Sequence, residues 1–167
     1  IQSTTRPALE TVRPYVYVDE VQDIEWYAHN RKSDAEVLMA LHPHMFKSVQ
    51  TGQEARALLK KYPWLRFLPD TAHLKIAGEN PVELLDEHFS KLAAVHVKDW
   101  TAEFGRAYQF YAQGFVDLGD GDVDLEAVVA LLNKKRYQSW LIVERDTPIS
   151  PARSAAKARQ WLNDHSV

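Results

Sequence analysis

Several short apolar runs in this chain end in side chains that can hold a metal or move a proton. Leu68-Pro69 leads into Asp70-Thr71-Ala72-His73, Val95-His96-Val97 into Lys98-Asp99, and Val143 into Glu144-Arg145-Asp146. A further run, Val37 to Leu41, ends in His42-Pro43-His44. A divalent ion needs oxygen or imidazole ligands converging from rigid elements, with one position left for water or substrate. Asp70, His96 and Glu144 can supply that set, with His42 or His44 as a fourth. The bland reading makes each residue a cap or a hydrogen-bonded structural group, and any one of them taken alone fits it. Agreement among four strand ends favours one shared centre.

Such a centre requires the strands to be parallel, because only then do their carboxyl ends lie together. The order of elements meets this requirement. Tyr15 to Val18 is β-branched and aromatic, Val37 to Leu41 reads as a strand buried on both faces, and Leu65 to Leu68, Ala93 to Val97 and Trp140 to Val143 follow. Helical patterns separate them. The first is Asp19 to Lys32. Thr51 with Glu54 has capping-box spacing ahead of Ala55, Leu58 and Leu59. Asn80-Pro81 opens a helix carrying Val82, Leu85, Phe89 and Leu92; Asp124 caps one with Leu125, Val128 and Leu132. Pro151 begins the last, with Ala155, Ala158, Trp161 and Leu162 inward. Strand-helix repetition of this kind gives an α/β fold of parallel β/α repeats. No internal repeat or low-complexity linker divides the chain, so residues 1–167 read as a single domain.

Bulk composition narrows the function. With 46% hydrophobic and 26% charged residues there is ample material for a core. A net charge of −3, with scattered basic residues, argues against nucleic acid as the main ligand. There is no cysteine, so any metal must be held by His, Asp and Glu. No apolar run approaches a membrane span, and a cytoplasmic protein is expected.

Other polar residues have two readings each. Lys98 either neutralises an anionic or enolate-like substrate oxygen or forms a surface ion pair, while Asp99 caps the following loop. Residues 117–124 form an acidic turn without the ligand register of a calcium loop, so a capped turn is expected. The stretch Trp100 to Gly114 is long enough for a lid. Its Arg106 is a candidate substrate contact, and Phe104, Tyr108, Phe110, Tyr111 and Phe115 either shape a pocket or pack over its mouth.

Taken in order, Asp70-Thr71-Ala72-His73, His96-Val97-Lys98-Asp99, Phe115 to Asp124 and Trp140 to Glu144 resemble the xylose isomerase-like barrel superfamily. That superfamily includes sugar-phosphate isomerases and epimerases, inosose dehydratase-like enzymes and, more distantly, the endonuclease IV group. The resemblance runs from about Val37 to the C-terminus. It implies a (β/α)₈ barrel of TIM-barrel type with a divalent metal (Mn, Mg, Co or Zn) at its C-terminal face. Carried over by position, Asp70, His96 and Glu144 match metal ligands, and His73 matches a metal or substrate contact. The superfamily usually places a glutamate after the fifth strand, as ligand and base. His42-Pro43-His44 stands there instead, which brings imidazole into the roles of ligand and base.

A full barrel needs roughly 250 residues, whereas this chain has 167 and shows about four to five strands. It therefore reads as the C-terminal half of a barrel. The leading expectation is a metal-dependent isomerase, epimerase or inosose dehydratase-like lyase acting on a polyhydroxylated carbonyl compound. In it His42, Glu144 and Lys98 are catalytic, His44, His73, Lys98 and Arg106 contact the substrate, and Asp70, His96, Glu144 and His42 hold the metal. The alternative is a non-catalytic half-barrel that binds or assembles, either as a homo-oligomer or with its missing half. An endonuclease is disfavoured, because no histidine follows Asp117 closely and the charge balance is acidic.

Overall fold

The computed structural model describes residues 15–30, 37–105 and 110–165. Its centre is a parallel arrangement of short strands. β1 (Tyr15–Val18) pairs with β2 (Leu38–Leu41), and β2 pairs with β3 (Arg66–Phe67), all parallel. β4 (Ala94–Val97) pairs in parallel with β7 (Trp140–Val143). Isolated parallel bridges, Phe67 to Leu92 and Asp70 to His96, join β3 to β4 and make the two sheets continuous. The order β1-β2-β3-β4-β7 follows the chain, as β/α repeats require.

Helices pack against the strands. α1 (Val21–Asn30), α2 (Gly52–Lys61), α4 (Pro81–Glu87), α5 (Leu125–Lys134) and α6 (Pro151–Asp164) connect or follow the strands. The expected caps form. Thr51 accepts from the Glu54 amide and Glu54 reaches back to the Thr51 amide, Asn80 accepts from Val82, and Asp124 accepts from Ala127. Ile24, Leu59, Phe67, Leu85, Val95 and Val128 belong to one buried cluster between strands and helices. Each such side chain contributes about 1.5–3 kcal/mol by leaving water.

One helix is added and three local expectations are corrected. Residues 71–76 form a further helix, α3 (Thr71–Ile76), too short to show a period of its own and nucleated by Asp70. Phe89 and Leu92 do not continue α4, because the chain tightens into a 3₁₀ turn over Phe89–Lys91. Ala155 is exposed, and only Ala158 of α6 is buried. The run from Val37 is not sealed on both faces, since Val37 is exposed and Leu38 and Met39 are half-buried. β7 is likewise half-exposed, with Trp140 and Val143 reaching solvent. Edge strands see a neighbour on one side only, and no strand among the described residues pairs with the outer edge of β1 or β7.

The stretch after β4 is not a free connector. β5 (Asp99–Trp100) pairs antiparallel with β6 (Phe115–Val116), and the Trp100 indole donates to the Tyr111 carbonyl within a 3₁₀ turn at Tyr111–Gly114. Asp99 clips the next turn to this pair. Its carboxylate accepts from the backbone amides of Trp100 (2.8 Å), Gly119 (3.0 Å), Gly121 (3.0 Å) and Val123 (3.2 Å). Gly119 sits at φ +86, and a Cβ on Gly121 would collide with the Asp99 carboxylate. The acidic turn is thus spent on structure. Asp122 accepts from Ala102, Asp120 pairs with Lys157 and Asp117 with Arg145. Asp99→Ala is expected to lower unfolding free energy by about 3 kcal/mol, because it orphans buried amides. Urea denaturation monitored by tryptophan fluorescence measures it, and a loss below about 1 kcal/mol would contradict the clip.

Candidate metal centre

Strand register brings the polar residues together. His42 directly follows β2, Asp70 bridges in register to His96 of β4, and Glu144 directly follows β7, its amide bonding Val97 O at 3.3 Å. Neighbouring strands lie roughly 4.8 Å apart, and one ligand atom from each of His42, Asp70 and His96 lies within 4.8 Å of the others. The structure thus brings His42, Asp70 and His96 together. Glu144 stands beside this group rather than within it, accepting from His96 Nδ1 at 2.6 Å and from Lys98 Nζ at 2.8 Å.

Local chemistry explains each orientation. Asp70 caps α3: its Oδ1 accepts from the amides of Ala72 (2.9 Å) and His73 (3.0 Å). Its Oδ2 is buried and has no hydrogen-bond partner; Lys98 Nζ lies 3.9 Å away and His96 Nδ1 4.0 Å away. His42 Nδ1 lies 2.8 Å from the Leu68 carbonyl, so it carries the proton and leaves Nε2 with a free lone pair. The carboxylate partner assigns the His96 Nδ1 proton in the same way. An orphaned carboxylate oxygen beside two imidazoles with a free nitrogen each is a donor set that fits a divalent ion.

Burial sets the protonation. It raises the Asp70 carboxyl to about 6, against the pull of Lys98 and the His73 amide. It lowers His42 to about 4, so this ring is neutral at pH 7, as a metal ligand must be. Glu144 is held well below the usual carboxylate range by its bond from His96 and by Lys98.

Lys98 is fully buried, which removes the surface-pair reading. Desolvation opposes its charge, but Asp70, Asp146 at 2.6 Å and Glu144 outweigh this and raise its pKa. Its ammonium also lies 4.1 Å from the centre of the Phe115 ring. Lys98 is therefore placed to hold carboxylates in charge balance. Asp146, named with Glu144 at the same strand end but given no role there, joins the cluster, since residues two apart on an extended chain point to the same side. Thr71 was missed: its hydroxyl donates to Lys98 O (2.7 Å) and accepts from Lys98 N (2.9 Å), tying α3 to β4.

The expected substrate contacts divide. His44 is half-buried, and its ring lies 3.7 Å from that of His73. His73 is only 1% exposed beneath His44, Tyr111 and Phe115, so this roof covers it. Burial, with His44 beside it, pushes His73 down to about 2. Phe104 and Phe110 are exposed, whereas Phe115 is buried and Tyr111 half-buried. Arg106 and Tyr108 lie outside the described residues.

A parallel β/α sheet that gathers a His-Asp-His group able to hold a metal at the carboxyl ends of its strands has the organisation of a β/α barrel. The chain belongs to the xylose isomerase-like TIM barrel family, whose model matches residues 22–165. An inosose dehydratase of Clostridium botulinum (strain Eklund 17B) is 32% identical over 148 residues, covering 79% of this chain and 49% of that protein. Another, of Geobacillus thermodenitrificans, is 29% identical over 167 residues, covering 89% and 56%. Among solved structures, the 3-keto-D-glucoside 4-epimerase of E. coli superposes with a TM-score of 0.61 at 19% identity, over 86% of this chain and 50% of its own. The IOLI protein, solved with a bound zinc atom, gives 0.58 at 18% identity, over 77% and 48%. These structural likenesses establish the fold. The chain spans about half the length of the curated relatives it matches.

The buried ring of His42 has a consequence for acid stability. With chelator present, lowering the pH from 6.5 towards 4 protonates His42 in the unfolded chain but not in the folded one. Stability is therefore expected to fall across this window, by up to about 3 kcal/mol from this residue. Asp70 acts in the opposite sense: its folded pKa is raised, so its contribution grows as pH falls from about 6 towards 3.8. His42→Asn should shrink the acid loss. Urea titrations at stepped pH read it, and an unchanged slope would refute the assignment.

Proposed function

We propose that this chain carries the metal-binding part of a divalent-metal-dependent sugar isomerase, epimerase or inosose dehydratase-like lyase. Its substrate is a polyhydroxylated carbonyl compound of inosose or sugar type. The observation that carries this reading is the buried, unpartnered Asp70 Oδ2 beside His42 and His96. Inosose dehydratases among the relatives, and a zinc-bound protein among the structural neighbours, support it.

His42, Asp70 and His96 would hold the ion, with Glu144 the nearest further carboxylate. Two imidazoles suit Zn or Co better than Mg. When bound, the ion polarises a carbonyl and its adjacent hydroxyl. The chain's own groups handle protons and orientation. Glu144, ionised at neutral pH, is the candidate proton acceptor once substrate loosens its bonds from His96 and Lys98; His42, with Nδ1 on Leu68 O and Nε2 turned to the ion, would have no lone pair left for that role. Lys98 stabilises the ionised carboxylates, and His44 and Arg106 are assigned to substrate, while His73, covered by its roof, supports His44 from beneath. No helix among the described residues is long and apolar enough to cross a membrane, and a cytoplasmic setting suits such an enzyme.

A second reading, a non-catalytic half-barrel acting in assembly, is favoured by the open edges. Val16 and Tyr17 on β1, and Trp140 and Val143 on β7, are exposed. A groove of about 440 Å³ between the end of β7 and α6 is lined by Val143, Pro148, Ala155 and Leu162. We take residues 1–167 as one unit of a barrel whose remaining strands, or a second copy, close over these edges. The readings separate in one set of measurements. Elemental analysis of protein purified without chelator should find about one equivalent of divalent metal, lost in Asp70→Ala and His96→Ala. Metal-free wild type would sink the enzyme reading, and a well-behaved monomer by light scattering would sink the assembly reading.

A further inference from the structure

The turn that follows β2 contains an anomaly. Phe46 has φ +64, a left-handed conformation that bulky side chains rarely adopt, and yet it is 57% exposed. More than half of the side chain faces solvent, so an aromatic surface is presented outward at this turn. The turn itself is pinned around it. Phe46 N donates to Gln50 Oε1 (2.9 Å), Lys47 N to His44 O (3.2 Å), and His44 N to Val49 O (2.9 Å). Conformations of this kind persist where the surroundings impose them, and they concentrate at ligand sites.

The anomaly lies beside the metal centre. Two residues before Phe46 is His44, whose ring lies 5.9 Å from that of His42. The Phe46 ring meets Tyr111 at 5.3 Å with the planes 49° apart. Tyr111 in turn packs edge-on to Phe115 at 5.8 Å and against His73 at 5.9 Å. The roof of the site therefore ends at its solvent side in an aromatic shelf made of Phe46 and Tyr111. A shelf of aromatic faces next to ionised and imidazole groups suits a ligand with two kinds of surface. One is a rigid face of C–H groups to lie on the rings, and the other a rim of hydroxyls to meet the polar cluster.

We propose that Phe46 is a specificity-determining residue whose ring, with Tyr111, seats the C–H face of a cyclic polyol and selects it over an open-chain polyol. This rests on the reading of the site as a metal-dependent one for polyhydroxylated carbonyl compounds and adds how the ring form is chosen. An open-chain polyol with as many hydroxyls presents no rigid C–H face, so the shelf has little hold on it.

The test uses the full chain loaded with zinc, titrated calorimetrically with an inosose and, separately, with sorbitol. Phe46→Ala is expected to weaken inosose binding about fivefold to tenfold, to leave zinc affinity unchanged and to leave sorbitol unaffected; Phe46→Tyr should retain inosose affinity. Phe46→Gly separates the shelf from a structural role. Glycine adopts φ +64 without strain, so its Tm should hold or rise while inosose affinity falls. Inosose affinity within twofold of wild type in both Ala and Gly variants overturns the shelf alone. Equal losses for inosose and sorbitol overturn ring selection. Wild type that takes up neither zinc nor inosose overturns the shelf together with the reading beneath it.

Discussion

A buried carboxylate shared between two tasks organises this molecule. Asp70 is fully buried in the middle of a parallel sheet, where an isolated ionised group is very costly. One oxygen is satisfied by two backbone amides of α3, so the helix begins where it does because the carboxylate is there. The other has charges near it but no hydrogen bond. That division aims Oδ2 with a precision no free side chain could have, because rotating Asp70 would uncap α3.

Charge balance then fixes the neighbours. Lys98 has no solvent exposure, and an unpaired ammonium there would not be tolerated. Glu144 and Asp146 come from the far side of β4 to meet it, and Asp70 approaches from β3. The ammonium thus holds together the ends of three strands that share few direct ladder bonds at that level. Thr71 bonds the Lys98 backbone at both its donor and its acceptor, which keeps the lysine stem from sliding along β4. Buried polar contacts concentrate at this end of the sheet, whereas β1 and β7 carry exposed apolar side chains and, among the described residues, no strand pairs with their outer edges.

Much of this was legible in the residue order. Thr51 with Glu54 and Asn80 with Pro81 are local devices; their hydrogen bonds span three residues or fewer, so spacing alone reveals them. α3 leaves no trace in the residue order, because six residues are too few to show a helical period. Ala155 was assigned inward from helical spacing, but that stripe faces an open groove, since no strand among the described residues stands beyond β7. Lys98 shows the limit most clearly. A lysine after an apolar strand reads equally well as exposed or buried until the carboxylates arriving from other strands are known.

By itself, the sequence determined the strand-helix alternation, the parallel sense that follows from it, and hence that His42, Asp70, His96 and Glu144 share one end of the sheet. Those facts depend on side-chain period and connection length, which are properties of the chain read in order. Only the tertiary structure decided how these four divide. Three have ligand atoms within 4.8 Å of one another, and Glu144 is turned to His96 and Lys98 instead. It also decided that Asp146 and Thr71 belong to the cluster, that His73 lies under a roof, and that Phe46 sits exposed in a left-handed turn. Each of those outcomes depends on register between strands and on the desolvation of charges by residues distant in sequence, and neither is written in local order.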